Sequence, residues 1–107
     1  MTNINFKNKT VVITGGSKGI GLEITKTFLK HQANVIILAR NKPKQKIQSK
    51  GNTGYFIECD IRNAESIDSA IKDIASKYKS IDVLINNAGG APMADSLTAS
   101  PKFHEAI

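Results

Sequence analysis

Short apolar runs alternate along this chain with amphipathic stretches. Val11-Val12-Ile13 is a β-branched run and reads as a buried strand. The period then changes. Ile20, Ile24 and Phe28 recur every four residues, with Leu29 beside them, which predicts one apolar helical face ending near His31. Asn34 to Ala39 is almost continuously apolar and reads as a second buried strand. The intervening helix, about thirteen residues, supplies the crossover that a parallel pair requires. The polar stretch Lys42 to Asn52 contains Pro43, which argues against a long second helix there. Thr53 to Cys59 reads as the third strand. Asn63 suits a helix N-cap, with Glu65 in the first turn. Ile67, Ala70, Ile71, Ile74, Ala75 and Tyr78 keep the i, i+3, i+4 spacing, and Asp68–Lys72 and Asp73–Lys77 fall as outer i, i+4 pairs. Ile81 to Asn86 is the fourth strand. Pro92 to Ala99 reads as a loop, and Ser100-Pro101 as the start of a further helix carrying His104.

Between the first strand and first helix lie Gly15, Gly16, Ser17, Lys18, Gly19 and Gly21. A buried strand, a glycine-dense turn and a helix N-terminus make a phosphate cradle. Glycine lets the backbone approach a ligand closely, and the first helical N–H groups have no partner within the helix. A P-loop would need Lys-Ser or Lys-Thr after its last glycine, whereas Lys18 precedes Gly19. The spacing also differs from G-x-G-x-x-G.

Thr14-Gly15-x-x-x-Gly19-Ile20-Gly21 resembles the nucleotide motif of the short-chain dehydrogenases/reductases. Asn86-Asn87-Ala88-Gly89, after an apolar strand, resembles that family's second hallmark. The two occur in the expected order, about 65 residues apart, with Asp60 between them. The resemblance implies an α/β fold, a doubly wound parallel sheet of Rossmann type. With right-handed crossovers its strand order is 3-2-1-4, truncated after about four strands. Residues 1–107 would then be the N-terminal dinucleotide-binding part of a single domain. The resemblance assigns Gly15, Ser17, Lys18, Gly19, Ile20 and Gly21 to the pyrophosphate end of the cofactor. It gives Asp60 a hydrogen bond to the adenine amino group, with Ile61 against the ring. The Asn87, Ala88 and Gly89 backbone would run along the cofactor, and the asparagines would tie strand ends together.

Cofactor choice turns on the end of the second strand, where Arg40 and Asn41 stand. Arg40 follows Gly21 by 19 residues, about where dinucleotide folds meet the adenosine ribose. An acid there holds the 2′-hydroxyl of NAD, whereas an Arg accommodates the 2′-phosphate of NADP. Lys18 can reach the same phosphate, so NADP(H) is favoured over NAD(H). The family's chemistry uses a Tyr-x-x-x-Lys pair and an upstream Ser. Tyr55 has Cys59 four residues on and Tyr78 has Asp82, and Ser96 and Ser100 fall too early. No catalytic residue is therefore assigned. The expectation is the cofactor half of an oxidoreductase that moves a hydride between NADP(H) and a ketone or alcohol, with this chain inactive alone. A non-catalytic dinucleotide-binding module is the alternative. A methyltransferase-type fold would end its second strand in an acid, and Arg40 argues against it.

Composition changes little. The net charge is +6, and Arg40, Lys42, Lys44, Lys46 and Lys50 share a stretch free of acids. No aromatic residue interleaves with them, so a stacking platform for nucleic acid is missing and a solvated loop accounts for the lysines. A single cysteine, Cys59, rules out an intrachain disulfide and fits a cytoplasmic protein. The first residues form no signal-peptide core, and no apolar run approaches the roughly 18 residues of a membrane span. No metal is expected. The resemblance implies a small-molecule carbonyl or alcohol substrate and a homo-oligomeric whole enzyme, with neither nucleic acid nor membrane as partner.

Overall fold

In a computed structural model of the chain, which describes residues 5–87, the first apolar run becomes a strand flanked on both sides. It is β1, Thr10–Thr14. There follow α1 (Gly19–Lys30), β2 (Asn34–Ala39), β3 (Gln48–Ser49), β4 (Asn52–Thr53), β5 (Tyr55–Glu58), α2 (Ala64–Lys77) and β6 (Val83–Asn86). The main sheet has the order β5-β2-β1-β6 and is wholly parallel. In its own strands this is the expected 3-2-1-4. Thr14 pairs with Leu38 on one side and Asn86 on the other, so three strands end together at their carboxyl edge.

The continuous apolar runs conceal an alternation of period two. Val12, Ile36, Leu38 and Ile57 point to one face, against Ile67, Ala70, Ile71 and Ile74 of α2. Val11, Ile13, Val35 and Ile37 point to the other, against Leu29 of α1 and Ile47. A sheet covered on both faces needs apolar residues at every position, which is why β1 and β2 read as unbroken runs.

Three local expectations need correction. The inner stripe of α1 is Gly21, Thr25 and Leu29, not the Ile20–Ile24–Phe28 row. Ile20 is 74% exposed, while Ile24 and Phe28 flank the core half-buried. Gly21 turns inward because only a residue without a side chain fits against the preceding loop. Thr53 belongs not to the third strand but to a β3–β4 hairpin, whose turn residues Lys50 and Gly51 both have positive φ, as a type I′ turn requires. Buried Ile47 anchors this hairpin, and Asn52 Nδ2 donates to the Leu29 carbonyl near the end of α1. Ala75 is exposed. Among the described residues neither i, i+4 pair of α2 closes to an ion pair, and Lys77 Nζ lies instead 5.0 Å from the centre of the Tyr55 ring.

Elsewhere α2 follows its sequence. Asn63 Oδ1 accepts from the Glu65 and Ser66 N–H groups, the expected cap. The loop at Pro92–Ala99, the helix start at Ser100-Pro101 and His104 lie outside the described residues.

Fully buried Thr25 links the fold to its first loop, donating from Oγ1 to the Gly16 carbonyl at 3.0 Å. Thr25→Val keeps the shape and strands that carbonyl. A loss of about 1–3 kcal/mol is expected in urea unfolding, and an unchanged midpoint would show that the bond contributes nothing.

Candidate functional site

The loop after β1 is fixed from below and open above. The Gly15 N–H donates to the Leu38 carbonyl at 2.8 Å, anchoring the turn on β2. Gly15 and Gly19 take φ of 66° and 54°, the left-handed region in which a side chain is strained. A Cβ built on Gly19 meets nothing within 4 Å, so the space beside the helix start is clear. Lys18, the N-cap of α1, is extended and makes no side-chain cap, and the first turn holds no acid. The terminal N–H groups of α1 thus keep their positive potential for an external anion.

From this turn a cleft of about 430 Å³ runs across the carboxyl ends of β1, β2 and β5. Gly15, Ser17 and Lys18 line it at one end. Arg40 and Asn41 follow β2, and Asp60 and Ile61 follow β5. Seven of the expected residues therefore converge. Gly19, Ile20 and Gly21 do not line the cleft but form the adjoining helix start. Asn87 lies behind the turn rather than in the cleft. Its Nδ2 donates to the Gly15 carbonyl at 3.2 Å, and its N–H to Thr14 Oγ1 at 2.9 Å. Thr14 Oγ1 in turn donates to Asn86 Oδ1. Both asparagines thus join the end of β6 to that of β1, as the resemblance implied. Ala88 and Gly89 lie outside the described residues.

Sequence reasoning missed four lining residues: Leu38, Ala39, Cys59 and Arg62. The first three end apolar strands, a position that itself marks the ligand edge of a parallel sheet. Arg62 had only one signal, its place two residues after an acid. Its Nε lies 3.2 Å from Asp60 Oδ1 and its Nη2 3.4 Å from Oδ2, a forked pair. The Arg62 N–H also donates to Asp60 Oδ1, at 3.0 Å, while the Asp60 N–H donates to Ser66 Oγ at 2.9 Å.

These bonds set the charge state. The Arg62 side chain, then its backbone N–H, hold the Asp60 carboxyl below the ordinary carboxylate range, with smaller help from the charge of Arg40. Whatever the fork adds to stability is present above the ordinary range and is lost as pH falls through the lowered value. Burial pushes the Cys59 thiol up, opposed by the Ser66 hydroxyl and reinforced by Asp60, so Cys59 is a neutral apolar wall rather than a nucleophile. Among the described residues no group of three or more His, Cys, Asp or Glu is placed to hold a metal, and no helix is long and apolar enough to cross a membrane.

An uncapped helix N-terminus suits a pyrophosphate, and the cationic cleft suits a further anion. Proteins of known kind agree with this frame. Residues 9–106 match the short chain dehydrogenase family. A fatty acyl-CoA reductase of Mycobacterium tuberculosis is 36% identical over 105 residues, 91% of this chain and 36% of that enzyme. The 7α-hydroxysteroid dehydrogenase of Escherichia coli K12 is 37% identical over 106 residues, 87% of this chain and 41% of that enzyme. A solved NADH-dependent reductase in complex with NAD superposes with a TM-score of 0.68 at 26% identity, over 79% of this chain and 38% of that one. The chain thus spans 36–41% of the length of the two relatives. It belongs to the short-chain dehydrogenase/reductase family.

Proposed function

We propose that the chain is the cofactor-binding part of an NADP(H)-dependent oxidoreductase acting on a ketone or alcohol. The observation that carries this reading is the cleft, with an uncapped helix N-terminus at one end and a cationic surplus along it. Lys18, Arg40 and Arg62 line it against one carboxylate, Asp60, which leaves two positive charges for a dianionic 2′-phosphate. NAD is the ligand in the solved reductase, and in this reading the choice between NAD and NADP falls to the residues after β2. In this reading the first N–H groups of α1 hold the pyrophosphate. Lys18 and Arg40 hold the 2′-phosphate, while Asp60 and Ile61 bound the adenine. The nicotinamide, when bound, supplies or accepts the hydride. For the whole enzyme the reading extends to a cytoplasmic homo-oligomer with a small-molecule substrate.

Arg40→Asp is expected to weaken NADPH by about 1.5–3 kcal/mol, ten- to a hundredfold, the value of a charge-assisted hydrogen bond. NADH should be unaffected or favoured. Fluorescence titration of both cofactors checks this, and equal losses for the two would remove Arg40 from the 2′-phosphate. A second reading is a module that binds dinucleotide without oxidising it. Tight NADPH binding with no turnover by any longer form would establish it.

A further inference from the structure

At the amino-terminal edge of the sheet, opposite the cleft, lies a polar concavity of about 600 Å³ that the dinucleotide reading does not use. Three segments build it: residues 7–8 before β1, the turn from α1 into β2, and the β3–β4 hairpin. Lys7, Lys30 and Lys50 line it, and no acid does. Among the described residues the one ion pair is Asp60–Arg62, so these lysines are unpaired. Asp82, at the same edge, accepts from the Thr10 N–H and lies outside the lining. Like charges gathered round one hollow repel until an anion joins them. Helix capping is the ordinary reason for cations at the end of α1, and here it does not suffice. The carbonyls of Thr27, Phe28, Leu29 and His31 already accept backbone N–H groups, and Leu29 takes Asn52 Nδ2 as well.

The backbone gives a second, independent sign. The non-glycine residues of positive φ among the described residues are Asn8 (66°), Gln32 (71°) and Lys50 (52°), and all three line this concavity. Gln32 stands just past the C-cap of α1, where glycine is the usual residue. Lys50 stands first in the I′ turn, where Asn or Gly is preferred. Glycine would relieve both positions, so stability does not explain a long polar side chain at either. Strain kept at a charged hollow marks a functional site. Its chemistry is that of point charges with side-chain amides beside them, Asn8, Gln32 and Asn34, and no guanidinium fork lines it to select a planar carboxylate. A compact, multiply charged phosphoryl group, approached from several sides, fits that set. We propose that the concavity is a second anion site, taking a polyanion of the pyrophosphate class, free or as the end of a larger molecule, with Lys7, Lys30 and Lys50 as its cations. The proposal does not rest on the dinucleotide reading, since the site lies beyond the far end of α1, about 18 Å along that twelve-residue helix from the glycine turn.

The test is calorimetric titration of the 107-residue chain with pyrophosphate at fixed ionic strength, in a background of Lys18→Glu and Arg40→Asp that disables the cofactor cleft. Binding should persist in that background, and Lys30→Gln and Lys50→Gly should each weaken it roughly tenfold. Lys50→Gly should also raise the urea midpoint measured without anion, the opposite of what loss of a structural residue does. Neither lysine variant should change NADPH affinity in the otherwise unaltered chain. ADP titrated in the same background separates the sources. Affinity equal to that of pyrophosphate means the end of a larger molecule, weaker affinity means a free anion, and both accord with the site. Loss of all pyrophosphate binding on disabling the cleft would overturn the proposal. Undiminished binding in either lysine variant would overturn it too, as would a Lys50→Gly midpoint below the original. Failure to bind NADPH, measured separately, would remove the dinucleotide reading and leave this one standing.

Discussion

Supplied with NADPH and a panel of ketones and quinones, the 107-residue chain is expected to leave the reduced cofactor unconsumed. A chimera continuing into the Tyr-x-x-x-Lys part of a relative is expected to turn over. Holding a dinucleotide gives affinity, but reduction of a carbonyl also needs a proton for the developing alkoxide. General acid–base assistance is worth roughly 10²–10⁴-fold, and stabilising the oxyanion adds a comparable factor. The described residues place no such group at the carboxyl edge beyond the cleft. Tyr55 lies on the edge strand β5 beside Lys77. Tyr78 packs against the α2-side core. His31 caps the C-terminus of α1, at the opposite end of the sheet from the cleft. Absorbance of the reduced nicotinamide reports the result. Turnover by the short chain that survives repurification and disappears in Gly19→Asp would show that a catalytic group has been overlooked.

Gly21→Val should be the most damaging single substitution in the nucleotide loop. A Cβ at position 21 would fall within the contact radius of the Gly15 carbonyl oxygen and 2.5 Å from Asn87 Nδ2. Neither neighbour can yield easily. The Gly15 N–H is bonded to Leu38, and Asn87 is bonded to that same carbonyl oxygen. Relief would require α1 to move away from β1, opening the Thr25–Gly16 contact as well. Overpacking costs about 1–3 kcal/mol, occasionally more, a large share of the roughly 5–15 kcal/mol that holds a domain folded. Chemical unfolding and NADPH titration should fail together, and Gly21→Ala should show the same loss in milder form. An alanine variant with the original unfolding midpoint and affinity would mean that the close approach is not needed.

Much of this was legible in the chain because its causes are local or periodic. β1 and β2 could be placed from their β-branched runs, and the Asn63 cap could be placed from its residue type. Where the expectation failed, the cause was tertiary. Counting apolar residues every four positions selected Ile20, but the inward face of α1 is set by Gly21, whose value lies in having no side chain. The β3–β4 turn escaped notice because Lys50 stands in a left-handed position that usually carries Asn or Gly. Arg62 was missed for another reason. Its partner is two residues away across a turn, a spacing that belongs to no helix or strand period. The convergence of Lys18, Arg40 and Asp60 was legible because parallel strands deliver their following residues to one edge.

The tie between Asn87 and Gly15 spans 72 positions, and this bears on the order in which the protein can assemble. β1, α1 and β2 form a contiguous unit that can come together early from short-range contacts. The bonds of the loop beside β1 to Leu38 and Thr25 belong to this early unit, whereas its bond to Asn87 waits until β6 has docked, so the anion cradle is completed last. Contacts of such long sequence separation are slow to form. A chain emerging from synthesis at about 5–20 residues per second would therefore carry every glycine of its nucleotide motif well before it could hold a nucleotide. Cofactor added during refolding is then expected to leave the folding rate unchanged and slow only the reverse reaction, and faster refolding with cofactor would place closure of the cradle before the barrier.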